Sequence, residues 1–525
     1  MPQPADKTPP GGTAGAQAFP GPMALWLLVA FALVAASLIG FRQDRGDVVV
    51  AERWLDTTPV TITRTGQGPQ PVVLIAHGFA GSRQLMQAFA YTLARNGMTA
   101  VSFDFLGHGR HPLPLGGSVT RISGATQSLV GQTRGVLALA RTIGDGRVAL
   151  LGHSMASDIL VRVARAEQDV VATVAISAFS REITETEPRN LLLVAGAWES
   201  RLAAEARRIV ALRSTPAVPE QGVTYGDHGD GSARRFAIAP HVEHVGVLYS
   251  AASLSEARDW LRASFGVTMP AQRPDRGGLW IIMLLAGLII AVRPLSRLLP
   301  LVSAREAGAA LPWRSFWPVL VLPALLTPLV LRVSPTRVLP ILVADYLAFH
   351  FALYGALTWL MLVVQRRRAV APPDGKPAAD RLRLGLAALG ACLVAVLPLF
   401  IAIDAYVTAI RPIEARLVLA LCLVGGAASF FFATEWASGG SGAARGGSAA
   451  IAVAFLLSLL GAVLLDPGRL FFLAIIVPVI VPFMIVFGLI AWWIRQRTRH
   501  PFPGAAVKTL AFGLAIAATF PMMTG

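Results

Sequence analysis

"ALLGHSMASDIL", residues 149–160, is the stretch on which the reading of this chain turns. An apolar run ends at Gly152, a serine follows at position 154, and a helical pattern begins at once. A serine in a sharp turn between strand and helix projects its Oγ above the sheet, and small neighbours let the helix pack close to the strand. The pattern here is G-H-S-M-A, with Ala156 where a glycine is usual. By itself it leaves two readings of Ser154 open, a nucleophile and a polar residue in a turn.

Five further runs around it read as strands: "PVVLIAHG" (71–78), "MTAVSFDF" (98–105), "VVATVAIS" (170–177), "NLLLVAG" (190–196) and "RRFAIAP" (234–240), with "GRVALLGH" (146–153) leading into Ser154. Most are nearly continuous apolar stretches, as expected where helices cover both faces of a parallel sheet. Helical patterns fall between them at 84–95, 125–143, 155–167, 200–212 and 253–264, the last with a capping-box start in Ser253 and Glu256. Alternation of this kind predicts an α/β fold with a doubly wound, mostly parallel sheet, whose ligands bind beyond the carboxyl ends of the strands.

Two glycine-rich loops lie at such ends, "HGFAGS" (77–82) and "FDFLGHGRH" (103–111). In order, H-G-x-x-G, D-x-x-G-H-G and G-H-S-x-A resemble the motifs of the α/β-hydrolase superfamily. His111 stands where that pattern has a small hydroxyl residue. The resemblance implies a nucleophile, an acid and a histidine in that chain order. It makes Ser154 the nucleophile and the backbone N–H groups of Phe79 and Met155 the oxyanion donors. Glu199, after "NLLLVAG", stands where the acid is carried, with Asp227 and Asp230 as substitutes and a helix-opening role as the alternative. "APHVEHVGVLYS" (239–250) looks like the histidine loop; it makes His244 the base and leaves His241 solvated or lining the cleft. His153 resembles a residue packed beneath the turn, and His77 belongs to the oxyanion loop. Asp158, one turn beyond Ser154, is expected to pair with an arginine. Only "AFSREITETEPR" (178–189) separates two strands where many relatives insert a helical lid, so the cleft is expected to be open or roofed by the rest of the chain.

The whole chain is 525 residues long, with 54% hydrophobic and only 14% charged residues, against about 25% charged in soluble domains. Residues 1–22, rich in Pro, Gly and Ala, read as a flexible tail. "MALWLLVAFALVAASLIGF" (23–41) reads as an uncleaved transmembrane anchor in preference to a signal peptide. Residues 42–278 have the composition of a soluble domain. Residues 279–525 read as a membrane domain of about eight helices, near 279–299, 314–331, 338–365, 384–410, 416–434, 449–465, 470–493 and 505–523, with breaks possible at Pro340 and Pro398. Loops on the side of the N-terminus hold sixteen basic residues against five opposite, or against eleven once the ends of the soluble domain are included. That bias places the soluble domain outside the cytoplasm, in the periplasm for a Gram-negative cell.

The net charge of +16 is not gathered into a basic stripe with interleaved aromatics, so no nucleic-acid partner is expected. No phosphate-binding glycine motif follows a strand, no His/Cys cluster suggests a metal, and no cofactor is expected. Cys392 and Cys422 lie in apolar runs and form no disulfide framework. Asp345, His350 and Asp404 fall within apolar spans, where such groups serve as helix contacts or line a transport path. The reading is a membrane-anchored serine hydrolase acting on a small-molecule or lipid ester. The alternatives are a non-catalytic sensor or transporter module and an acyltransferase with a membrane-presented acceptor.

Overall fold

The computed structural model describes residues 21–66, 68–117, 122–215, 218–368 and 380–524. The expected tail through residue 20, and Lys7 and Lys376 of the basic count, lie outside the described residues. The sheet has eight strands: β1 (Val49–Leu55), β2 (Thr58–Arg64), β3 (Val72–Ala76), β4 (Thr99–Phe103), β5 (Val148–His153), β6 (Val170–Ile176), β7 (Leu191–Gly196) and β8 (Arg234–Ala239). Their spatial order is β1-β2-β4-β3-β5-β6-β7-β8. Pairing is parallel from β4 through β8, and antiparallel for β1 with β2 and β2 with β4. Every residue of β3, β4, β5 and β7 is buried. Helices on both faces explain these unbroken apolar runs.

Those helices are α2 (Gln87–Ala94), α3 (Gln127–Ile143), α4 (Met155–Ala166), α5 (Ser200–Ala211) and α6 (Ala251–Phe265), and α1 (Gly21–Arg45) precedes the sheet. The β1–β2 hairpin was not among the expected strands. β1 is mostly exposed, so it lacks the apolar continuity that marks the others, and its two-residue turn sets Asp56 at φ +52°. The expected capping box is also corrected. Ser250 is the N-cap of α6, and Ser253 lies inside the first turn, where its hydroxyl donates to the carbonyls of Val247 and Ser250. Glu256 instead accepts from Arg235 at 3.1 Å.

After the sheet come α7 (Gly277–Leu295), α8 (Trp313–Val333), α9 (Ala344–Arg368), α10 (Arg381–Tyr406), α11 (Leu417–Ala437), α12 (Gly447–Leu465), α13 (Pro467–Thr498) and α14 (Phe502–Thr519). Among the described residues, nine helices are long and apolar enough to cross a membrane. α1 lies along α7, where a Cβ on Gly287 would stand 2.9 Å from the Ala30 carbonyl, an approach that only a small residue allows. Phe351, Phe430 and Phe455 form an aromatic centre for the bundle, with ring centroids 4.6–5.3 Å apart. α9 starts only after Pro340, because residues near 341 are extended, whereas α10 runs on through Pro398.

The chain end departs most from the expected span 505–523. α14 stops at Thr519, and the next residues run extended between the two halves of the molecule. On one side Met522 donates to Gly107 at 2.9 Å and accepts from Leu115 at 2.8 Å; on the other, Leu342 donates to Pro521 at 3.0 Å. The Asp44–Arg276 and Arg45–Asp275 pairs, both at 2.8 Å, join the ends of α1 and α7 where they meet the α/β domain.

Candidate active site

Ser154 sits between β5 and α4 with φ +54° and ψ −118°, a strained conformation for a residue with a Cβ. Its N–H donates to the Ile176 carbonyl at 2.8 Å, which fixes the turn to β6. A Cβ at Gly152 would meet Leu160 at 2.8 Å and the Ala156 backbone at 3.0 Å, so helix and strand touch there. Ala156 is fully buried, and its methyl group fits where a glycine is usual.

Two more strand ends bring their residues to this turn. His244, in the loop after β8, places Nε2 2.9 Å from Ser154 Oγ. Its Nδ1 lies 2.6 Å from Oε1 of Glu199, which follows β7. The second carboxylate oxygen accepts from the Ser177 hydroxyl and the Gly196 N–H, each at 2.7 Å. Burial pushes the Glu199 carboxyl up, but hydrogen bonds from His244, Ser177 and Gly196 outweigh it and hold the group below its ordinary range. An ionised Glu199 fixes the proton on Nδ1 and turns the Nε2 lone pair toward the serine hydroxyl.

His153 is buried beneath the turn, and its Nε2–H donates to the His244 carbonyl at 2.9 Å. Burial, with His244 adjacent, lowers its pKa to about 3, so it is neutral. It therefore anchors the histidine loop, which adjacency in sequence did not reveal. Ser177, held at φ +49° at the end of β6, was missed for the same reason: its partner is remote in the chain.

The loop after β3 lies against the serine. A Cβ on Gly78 would stand 3.1 Å from Ser154 Cβ and 2.9 Å from His153 Nδ1. This brings the Gly78–Phe79 backbone up to Ser154, while Met155 opens α4 with an N–H that has no intrahelical acceptor. His77 is structural. Its Nδ1–H donates to the Gly78 carbonyl at 2.8 Å, its Nε2 accepts from the Phe105 N–H at 3.1 Å, and burial lowers its pKa.

The remaining sequence candidates lie elsewhere. His241 is exposed and outside the row. Asp227 and Asp230 accept from Gly229 and Ser232 in their own loop. His111 is buried and accepts from Leu113 at 3.1 Å. Asp158 pairs with Arg162 at 2.8 Å and accepts from Ser180 at 2.5 Å. Asp104 was not singled out, yet its buried carboxylate accepts from the Arg83 and Arg110 N–H groups at 2.7 and 3.0 Å and joins both glycine-rich loops.

Among the described residues, no helix lies between β6 and β7. The helical region touches the site loops instead. Phe472 of α13 packs against Phe79 with ring centroids 4.6 Å apart and planes tilted by 34°. Thr408 bonds Ser82 at 2.9 Å, and Asp404 pairs with Arg110 at 2.8 Å. Asp404 is thus a tie between the halves at the end of α10, not a group deep in a span. His350 meets Ser458 at 3.1 Å, and the Asp345 carboxylate accepts from the Tyr346 N–H at 2.7 Å.

Residues 67–218 match the family described as serine aminopeptidase, S33. No curated protein matches the chain. Among solved structures, an epoxide hydrolase of Vigna radiata is 24% identical over 25% of this chain and 41% of its own, with TM-score 0.21. A CIB-like hydrolase of Thermoplasma acidophilum is 16% identical over 41% of this chain and 99% of its own, at 0.31. A bacterial membrane phospholipase A is 14% identical over 46% and 94%, at 0.29. The chain spans about two fifths of the length of the epoxide hydrolases it matches. The sheet order, the mostly parallel pairing and the match over residues 67–218 define an α/β-hydrolase-like fold, followed by a region of apolar helices.

Proposed function

We propose that this protein is a membrane-anchored serine hydrolase that cleaves an ester-like bond through an acyl-enzyme. The observation that carries the reading is the hydrogen-bonded row Glu199–His244–Ser154, assembled from three strand ends at 2.6 and 2.9 Å. His244 Nε2 takes the hydroxyl proton as Ser154 Oγ attacks the carbonyl carbon, and Glu199 stabilises the resulting imidazolium. The N–H groups of Phe79 and Met155 receive the developing oxyanion. His244 then returns the proton to the leaving alkoxide, and water, activated by the same imidazole, releases the acid and restores Ser154.

The nine apolar helices support a membrane-embedded chain, and the basic loops support a hydrolase domain outside the cytoplasm. A fluorophosphonate probe tests the chemistry. The full chain is expected to be labelled at Ser154, and Ser154→Ala to lose the label. A folded wild type that takes no label overturns the enzymatic reading, and cleavage confined to peptides overturns the ester preference.

A further inference from the structure

We propose that the end of α10 sets the position of the oxyanion loop, with Thr408 and Asp404 as positioning residues for the reaction at Ser154. The inference rests on the serine-hydrolase reading above. It starts from Ser82, the last residue of the loop 77–82, which occupies the N-cap position of a short helical turn, Arg83–Met86. A serine there ordinarily accepts from an N–H of its own helix. The Ser82 hydroxyl makes no such bond. Buried, it shares a hydrogen bond of 2.9 Å with the Thr408 hydroxyl and accepts from the Ala409 N–H at 3.1 Å. Thr408 and Ala409 lie just beyond α10, 326 and 327 residues further along the chain.

A second set of bonds ties the same turn to α10. The Arg83 N–H, which Ser82 leaves uncapped, donates to Asp104 Oδ1 at 2.7 Å, and the Arg83 guanidinium reaches Asp104 Oδ2 at 2.5 Å. Asp104 Oδ2 also accepts from the Arg110 N–H at 3.0 Å, and the Arg110 guanidinium pairs with Asp404 at 2.8 Å. The other oxygen of Asp404 accepts from the N–H groups of Ile410 and Arg411 at 3.1 and 3.2 Å, which folds the residues after α10 back onto its last turn. The contacts close a ring that runs from Ser82 and Arg83 through Asp104, Arg110 and Asp404 to Thr408 and Ala409, and so back to Ser82. Its hydrolase members come from the loops after β3 and β4, and the rest from the end of α10.

Only Ala80 and Gly81 separate Ser82 from Phe79, whose N–H is the proposed oxyanion donor. They form a tight turn: Ala80 sits at φ +56°, and the Gly81 N–H donates to the Gly78 carbonyl at 3.1 Å. A shift of Ser82 is therefore passed on to the Phe79 N–H. The other proposed donor, on Met155, opens α4 and has no part in the ring. Movement at the end of α10 thus displaces one donor relative to the other. Oxyanion donors act on charge that develops only in the transition state, so misplacing one slows the chemical step and leaves ground-state binding alone.

The test uses the full chain in phosphatidylcholine nanodiscs and a fluorophosphonate, with the labelling rate followed against probe concentration to separate kinact from KI. Ser154 Oγ bonds to phosphorus, fluoride leaves, and His244 takes the hydroxyl proton, so the phosphoryl oxygen gains charge in the same oxyanion position. Thr408→Val is expected to lower kinact about tenfold, part of the hundredfold that a displacement of about 1 Å can cost, with KI held within about twofold. Thr408→Ser, which keeps the hydroxyl, is expected to restore the wild-type value. Asp404→Asn is expected to act as Thr408→Val does and keeps the test valid if that variant misfolds. Arg276→Gln breaks the pair with Asp44 at the junction of α1 and α7, away from the ring, and is expected to leave kinact unmoved. A kinact unmoved by Thr408→Val and Asp404→Asn, no rescue by serine, or an equal loss in Arg276→Gln overturns the positioning role. Any of these with Ser154 labelled in wild type sinks that role alone, whereas a folded wild type that takes no label takes the serine-hydrolase reading down with it.

Discussion

The buried Arg416 guanidinium, at the start of α11, donates to the Gly107 carbonyl of the hydrolase domain at 2.5 Å. The same group donates to the Ala517 and Phe520 carbonyls at 2.7 Å, so one cation gathers the end of α14 and the loop after β4. Gly107 itself, at φ +74°, accepts from Met522, and a Cβ there would lie 2.4 Å from the Met522 carbonyl. Helical region and hydrolase loops are therefore joined by a cation and a short extended segment, both buried.

Arg416→Met is expected to loosen this joint. Three carbonyls lose a charged donor, and a hydrogen bond to a charged group is worth about 1.5–3 kcal/mol. Amide exchange at Leu115 and Met522 is expected to quicken at least tenfold, while strands β5 and β7 keep their protection. Unchanged exchange at both amides would show that the clasp is held by something other than Arg416.

Glu199→Gln tests the acid against its helix-opening alternative. Glu199 occupies the N-cap position of α5, but its side chain makes no capping bond and faces His244 and Ser177 instead. Glutamine keeps the size and loses the charge that fixes the imidazole tautomer. In a triad that change costs about four orders of magnitude in kcat. KM is expected to stay within a few-fold of wild type; a loss confined to KM, or to thermal stability, contradicts the assignment.

How much of this was legible beforehand differs residue by residue. Ser154, Glu199 and His244 each follow the end of a largely apolar strand, where a local pattern marks the spot, and six of the eight strands consist mostly of apolar residues. β1 carries no such signal, because an exposed edge strand has little apolar surface to show, and β2, though mostly buried, alternates threonine with valine and isoleucine. His153, Ser177 and Asp104 act through partners 91, 22 and 21 residues away, and single-chain periodicity does not encode such pairs. The extended end of the chain was absorbed into a span, since "FPMM" (520–523) is as apolar as the helix before it and differs chiefly in its proline.

His153 is a positioning residue, and its donor matters more than its ring. His153→Ala removes the bond to the His244 carbonyl and is expected to slow fluorophosphonate labelling of Ser154 by about tenfold, the equivalent of one hydrogen bond of about 1 kcal/mol or slightly more. His153→Gln, which keeps an N–H donor, is expected to recover most of the rate. Equal rates in both variants would mean that the side chain only fills space.

Acid is expected to weaken the hydrolase domain through its buried histidines. His108 and His153 have pKa values pushed down to about 3 by burial, while the unfolded chain takes up their protons near pH 6.5. The unfolded state binds more protons between these limits, so stability falls as pH drops from about 6.5 toward 3, by roughly 1 kcal/mol per pH unit for each histidine. Glu199, held low, adds a loss only as pH falls below its ordinary range and through its depressed value. Thermal midpoints measured from pH 7 to pH 4 are expected to fall, and less steeply in His153→Gln. A variant with the wild-type slope argues that His153 is charged in the fold.

Gly78→Ala puts the loop geometry to the sharpest test. Its new methyl would stand 2.9 Å from His153 Nδ1, 3.1 Å from Ser154 Cβ and 3.2 Å from the His153 carbonyl. Two of these neighbours are fixed by the strained turn and by the bond from His153 to the His244 loop, so the glycine loop is the element that must move. Moving it draws the Phe79 N–H away from the oxyanion position, and loss of one such donor costs about two to three orders of magnitude in kcat. The expected pattern is a folded chain in which Ser154 turns over esters at least a hundredfold more slowly, with KM little changed. Activity near wild type would place the second oxyanion donor on a residue other than Phe79.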